Sequence, residues 1–313
     1  MKLLPPEPFA GSYLDVTAHK VMLQDVVRTS AYDDALRKVV RPGSRVIDFG
    51  CGTGVLSIFA ARHGAGRVDA IERTSFIEKA RHIARASGCP DIRFHHADHE
   101  SFSTDAPADV LVSEWMGHFL FFETMMDPLI AVRDRWLAPN GVMLPARVSC
   151  HAALLVEESF YEDLAFLTGN PYGIDFSSVA DAPLRQTHLI RTQPDELLST
   201  IFELGTWDMK TVESAPELLT AKAFVERAAT VFGIIAWFST DLCDDVWFGT
   251  GPHDPETHWQ QMFFPFPEPF DVSPDKAVTL KIHVPKSDDP TVANPWAWSI
   301  DDGETTVSIE PTP

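Results

Sequence analysis

Two glutamates, Glu114 and Glu123, stand on either side of a glycine in the segment Ser113-Glu114-Trp115-Met116-Gly117-His118-Phe119-Leu120-Phe121-Phe122-Glu123. Gly117 permits a hairpin and the apolar run Phe119 to Phe122 anchors it, so both carboxylates can turn into one pocket. Like charges held that close repel unless a cation sits between them. A guanidinium is the matching cation, because its planar fork pairs bidentately with carboxylates and stays charged in nearly any surroundings.

A second chemical signal lies upstream, in Arg-Val-Ile-Asp-Phe-Gly-Cys-Gly-Thr-Gly at residues 45 to 54. Val46, Ile47 and Phe49 suit a buried strand, and Asp48 stands just before the turn. Gly50, Gly52 and Gly54 let the backbone approach a ligand closely. A dinucleotide fingerprint spaces its glycines G-x-G-x-x-G around a pyrophosphate; here the third glycine comes one residue early, a form that suits S-adenosyl-L-methionine, which has no phosphate to cradle. Glu72 ends a second short strand, Val68 to Ile71, where a carboxylate can accept from both ribose hydroxyls. The plainer reading of Glu72 is a solvated acid at a strand end.

These residues need elements to hold them. Asp109 to Ser113 reads as a strand with Glu114 at its carboxyl end, and Glu123 opens a helix running through Leu129, Ile130, Val132 and Trp136. Residues 13 to 40 read as helical, with His19, Met22, Leu23, Val26 and Val27 near one face. Residues 41–146 alternate strands with helices. Beyond Leu144-Pro145-Ala146 the pattern turns strand-rich, as in Val225 to Ser239 and in Val278, Leu280, Ile282 and Val284 with their period of two. Phe160 to Val179, rich in aromatic residues, interrupts this second part. The division is therefore 1–40, a helical segment; 41–146, the cofactor domain; and 147–313, a strand-rich domain with an insertion at about 160–179.

The chain has 313 residues, 45% of them hydrophobic, enough to build two cores. Its apolar runs fall short of the ~20 residues a membrane helix needs, and the start, Met-Lys-Leu-Leu-Pro-Pro, lacks a secretory apolar region. Cys51, Cys89, Cys150 and Cys243 follow no disulfide or metal spacing, so a reducing cytoplasm is the simplest setting. The histidines at 95, 96 and 99 offer no recognisable ligand spacing either, and no metal is expected. A formal charge of −20 argues against nucleic acid as a partner. It favours cationic acceptors, or serves solubility alone.

Taken together, these motifs resemble the protein arginine N-methyltransferase family over about residues 9 to 284: the glycine turn, the double-glutamate hairpin, Thr257-His258-Trp259, and the N-terminal stretch from His19 to Tyr32. The resemblance implies an α/β chain, a Rossmann-like S-adenosylmethionine-binding domain followed by a β-barrel-like domain whose insertion is a dimerisation arm. It implies methyl transfer to a guanidino nitrogen of arginine in a protein, with a monomethyl or asymmetric dimethyl product, by a homodimer. Glu114, Glu123, His258 and Asp25 would be catalytic, His258 pairing with Asp25. His19, Arg28, Asp48, Gly50, Gly52, Gly54, Glu72, Glu100 and Met125 would hold the cofactor, Arg28 at its methionine carboxylate while bracing Glu114, and Glu100 at the adenine. Met22, Tyr13, His118 and Trp259 would shape the acceptor pocket.

Two departures touch the acceptor side. Phe9 and Ala10 stand before Tyr13 where the family carries Tyr-Phe, and His118 replaces a tyrosine. With no appended peptide-recognition module evident, free L-arginine or a small guanidino metabolite is an alternative acceptor. A catalytically silent scaffold, and a methyltransferase acting on oxygen or carbon, are the remaining classes; the first would lose the glycines or carboxylates, and the second has no need of two converging glutamates.

Overall fold

The computed structural model describes residues 15–285 and 296–309. Five strands form a wholly parallel sheet: β1 (Arg45–Phe49), β2 (Arg67–Glu72), β3 (Arg93–His96), β4 (Ala108–Val112) and β5 (Leu137–Leu144), in the order β3-β2-β1-β4-β5. Val46, Ile47, Ala70, Ile71, Leu111 and Val112 are all buried, as strands covered on both faces require. Because the strands run the same way, the chain leaves β1, β2 and β4 at one edge. Gly50, Glu72 and Glu114 therefore share that edge, the place where open α/β sheets bind ligands.

The N-terminal segment is two helices, α1 (Val16–Gln24) and α2 (Val26–Val39), rather than one. Asp25 divides them: its backbone is extended, and its carboxylate accepts the Arg28 N–H at 2.9 Å, capping α2. Next come α3 (Val55–Arg62) behind the glycine turn and α4 (Ile77–Ala86). The helix expected to open at Glu123 is α5 (Met126–Trp136). Phe121–Glu123 forms a single tight turn, and Thr124, left-handed at φ 51°, separates it from the helix.

From Arg147 onward the strands are antiparallel. β6 (Arg147–Leu155), β7 (His188–Ile190), β8 (Phe202–Asp208), β10 (Ala229–Cys243), β11 (Val246–Gly249) and β12 (Gln261–Val272) build one sheet, ordered β7-β12-β10-β6-β8 with β11 on β10. β9 (Leu218–Phe224), β13 (Ala277–His283), β14 (Ala297–Asp301) and β15 (Thr306–Ile309) build the other. The strand expected from Val225 begins at Ala229, because Glu226 turns aside to accept the backbone N–H groups of Ser199 (2.8 Å) and Thr200 (3.2 Å).

The insertion opens with α6 (Ser159–Leu164) and continues in short helical turns to Arg185. Phe160, Leu164 and Leu184 root it against Phe232, Ile235 and Phe263. Its outer part leaves Phe166, Tyr172, Ile174 and Val179 exposed, Tyr172 by 92%. Among the described residues, no helix is long and apolar enough to cross a membrane.

Candidate active site

The glycine turn is left-handed at Gly50 (φ 75°), Gly52 (φ 49°) and Gly54 (φ 77°), and the Gly50 and Cys51 N–H groups both close on the Ile71 carbonyl at 2.9 Å. Neighbours crowd it. A Cβ on Gly52 would lie 3.1 Å from His19 Cε1, and one on Gly50 would lie 3.5 Å from Met125 Cε. His19 and Met125 thus flank the turn, and the His19 ring lies against Phe76 with centroids 3.9 Å apart and planes tilted by 33°. At the adjacent strand end, Glu72 accepts from Gly52 N–H (3.2 Å) and Thr74 N–H (2.8 Å), which orients its carboxylate.

Asp48 lies beneath the turn, 1% exposed. Its Oδ2 accepts the Ser57 hydroxyl at 2.6 Å, while Oδ1 has no partner. Burial, opposed by Ser57 and reinforced by Glu72, pushes its carboxyl up to about 6.

The acceptor hairpin follows β4. Gly117 is required there for space: a Cβ would meet Phe122 Cβ at 2.7 Å and Glu123 Cγ at 3.2 Å. That close approach brings the arm carrying Glu123 against the arm that begins with Glu114. Leu120, at the tip, has φ 45°, a strained value for a branched residue. Glu114 is anchored at both oxygens. Oε1 accepts the Met116 N–H at 3.1 Å, and Oε2 accepts from Arg28 Nε at 2.8 Å and from Arg28 Nη2. Both side chains are under one-tenth exposed; burial alone would disfavour the Arg28 cation, and the Glu114 carboxylate reverses that.

The Thr257–Trp259 loop closes the other side. Asp25 Oδ2 accepts both the His258 N–H (2.9 Å) and, at 2.7 Å, the His258 ring at Nδ1. Burial raises the Asp25 carboxyl, and the hydrogen bonds from His258 and Arg28 outweigh it, so its value is lowered. His118 and Trp259 are buried in the wall between hairpin and loop: His118 Nδ1 meets the Trp259 carbonyl at 2.8 Å, and Trp259 Nε1 donates to the Met116 carbonyl at 2.7 Å. Burial and the nearby His258 carry the His118 imidazole down to about 4 despite its carbonyl partner.

The family model described as the arginine methyltransferase oligomerization subdomain matches residues 146–293, and that of the methyltransferase domain matches residues 46–141. Protein arginine N-methyltransferase 1 of Saccharomyces cerevisiae is 33% identical over 274 residues, 84% of this chain and 79% of its own. Protein arginine N-methyltransferase 1.1 of Arabidopsis thaliana is 32% identical over 262 residues, 81% of this chain and 67% of its own. The chain belongs to the protein arginine N-methyltransferase family. It is an S-adenosylmethionine-dependent methyltransferase. The fold agrees with two solved structures, each 24% identical: the Trypanosoma brucei PRMT1 enzyme-prozyme heterotetrameric complex with AdoHcy (TM-score 0.84, covering 96% of this chain and 100% of that one) and Arabidopsis thaliana protein arginine methyltransferase 10 (0.77, covering 95% and 99%).

In this methyltransferase Glu100 is exposed on the loop after β3, its backbone tied to Asp98 (3.1 Å) and Arg135 (3.3 Å), and the Ala97 N–H at the start of that loop bonds the Glu72 carbonyl at 3.2 Å. Met22 is half-buried on α1, where its carbonyl accepts the Thr29 hydroxyl at 3.4 Å. Tyr13, with Phe9 and Ala10, lies outside the described residues. The structure adds supports that sequence reading passed over. Ser57 holds Asp48. Tyr32 donates to the Ser113 carbonyl at 3.1 Å and Ser113 Oγ to the Phe49 carbonyl at 2.6 Å, tying α2, β4 and β1 together. Tyr32 lies one turn after Arg28 on the buried face of α2, a helical spacing that could have marked it.

Proposed function

We propose that this enzyme transfers a methyl group from S-adenosylmethionine to an ω-nitrogen of an arginine side chain in a protein, giving monomethyl or asymmetric dimethyl product. The observation that carries this reading is the acceptor hairpin, in which Glu114 is braced by Arg28 and Met116 while Gly117 draws the Glu123 arm alongside. The cofactor site fits its ligand. Glycines allow close backbone approach, Glu72 is oriented at the strand end for the ribose, and Asp48 keeps one buried oxygen unpartnered near where a cationic ligand would lie. When bound, S-adenosylmethionine supplies an electrophilic methyl on a sulfonium.

This chain's own residues do the rest. A guanidinium is a poor nucleophile because its lone pairs are delocalised. Glu114 and Glu123 orient the fork, localise positive charge on the far nitrogens and leave one nitrogen facing the methyl, the in-line geometry displacement needs. Asp25 holds the His258 Nδ1 proton, so Nε2 is the basic atom of that ring. Nε2 and the Glu123 carboxylate are the two groups for the released proton.

An acceptor arginine within a protein fits the family's named relatives. Of the departures that favoured free L-arginine, Phe9 and Ala10 lie outside the described residues, and the His118 Nδ1 is engaged by the Trp259 carbonyl instead of facing an α-carboxylate. We assign a homodimer joined through the arm, the division 1–40, 41–146 and 147–313, and a reducing, cytoplasmic setting for four free thiols. Exposed Phe166, Tyr172, Ile174 and Val179 on the arm, and exposed Val16, Leu23 and Ile83 beside Phe76 on α1 and α4, are two apolar surfaces that a second copy would cover. The test is methyl transfer measured in parallel on arginine-glycine-rich peptides and on L-arginine, with product masses. Peptide turnover is expected; turnover of the free amino acid alone would overturn the acceptor.

A further inference from the structure

The contacts around the site form a closed circuit. Asp25 caps α2 at Arg28; Arg28 grips Glu114; Glu114 accepts from the Met116 N–H; the Met116 carbonyl accepts from Trp259; and His258, next in the chain, returns to Asp25. One further bond crosses it, from His118 to the Trp259 carbonyl at 2.8 Å. Trp259 is therefore held at both ends by the acceptor hairpin, its indole by Met116 and its carbonyl by His118.

The backbone shows why two ties are needed. Gln260, immediately after Trp259, sits at φ 56°, and Leu120 and Thr124 in the hairpin sit at φ 45° and 51°. Such conformations persist in residues other than glycine only where the surroundings impose them. Gln261 fixes the far side of the loop, donating to the Thr250 carbonyl at 2.7 Å and accepting from the Thr192 N–H at 3.0 Å. On the near side, the Trp259 peptide depends on His118.

We propose that His118 is a positioning residue for the acceptor: by donating from Nδ1 to the Trp259 carbonyl it holds the hairpin carrying Glu114 and Glu123 at a set separation from the loop carrying His258. Its hydrogen bond is to the loop and not to the glycine turn, so its removal is expected to impair acceptor turnover and leave cofactor binding alone. This rests on the proposed arginine chemistry for its activity readout, and a second readout is independent of it.

His118→Phe keeps the bulk and removes the donor, leaving a buried carbonyl unsatisfied; His118→Asn places an amide N–H near the position of Nδ1. The full chain of each is compared with the parent for peptide kcat and KM, for S-adenosylhomocysteine affinity by calorimetry, and for amide hydrogen exchange. His118→Phe is expected to lower peptide kcat/KM by about tenfold to a hundredfold with cofactor affinity within about twofold, and His118→Asn to recover most of the loss. Amide exchange at 115–124 and 257–261 is expected to rise together in His118→Phe and not in His118→Asn. Parent-like turnover in His118→Phe, an equal loss of cofactor affinity, or no recovery with Asn would each overturn the proposal. If the parent methylated no guanidino acceptor, the reading of function would fail by itself, and unchanged exchange in His118→Phe would still overturn the role given to His118.

Discussion

His258 meets Asp25 twice on one oxygen, through its backbone N–H at 2.9 Å and its ring Nδ1 at 2.7 Å, although 233 positions separate them in the chain. The other oxygen of the same carboxylate caps α2. One buried aspartate thus fixes both the tautomer of a histidine and the start of the helix that carries Arg28.

Asp25→Asn separates these two duties, since asparagine caps helices about as well as aspartate but places no negative charge on Nδ1–H. S-adenosylhomocysteine binding should stay within a few-fold, while methyl transfer falls by on the order of a hundredfold or more. Matching losses in the two assays would show that Asp25 serves only as a helix cap.

Glu114→Gln and Glu123→Gln should both nearly abolish methyl transfer, and Glu114→Gln should also lose stability. Glu114 neutralises a buried Arg28, so its loss strands a cation at a cost on the order of 3 kcal/mol. Thermal unfolding should register that penalty in Glu114→Gln. Retention of near-parental turnover by either variant would remove it from the guanidinium mechanism.

The buried Asp48 carboxyl, at about 6, lies above its ordinary value of 3.8. Between those values the folded ligand-free protein keeps a proton that the unfolded chain releases. This contribution is therefore complete below about pH 4 and is lost as pH rises through about 6. Relative to the parent, Asp48→Asn should gain on the order of 2–3 kcal/mol of stability between pH 4 and pH 7.5. Denaturant melts of the two ligand-free proteins across that range measure the difference, and a flat difference would mean that Asp48 ionises normally.

Replacing Tyr172 and Ile174, both more than half exposed at the outer part of the arm, with serine removes apolar surface without touching the buried root formed by Phe160 and Leu164. Sedimentation should then show monomers with reduced activity. A dimer of undiminished affinity would place the interface elsewhere.

By itself the sequence determined what depends on short stretches of chain. The glycines at 50, 52 and 54 announce a backbone conformation that no more distant residue has to supply. Glu72 is legible as the end of a strand. Glu114 and Glu123 belong to one segment, so a hairpin through Gly117 could be read directly. At Asp25 a helical segment without a break was expected, because the apolar pattern from Met22 to Val27 runs across the point where its carboxylate caps α2. The tertiary structure decided what depends on surroundings. Asp48 and Arg28 are ordinary charges in the sequence; burial and partners give the first a raised carboxyl and the second a fixed mate. The family resemblance placed His118 and Trp259 at the acceptor pocket. Which side of the hairpin faces a loop 141 positions away is set by how the two halves of the chain pack, and that packing turns both side chains into the wall, where they tie one strained loop to another.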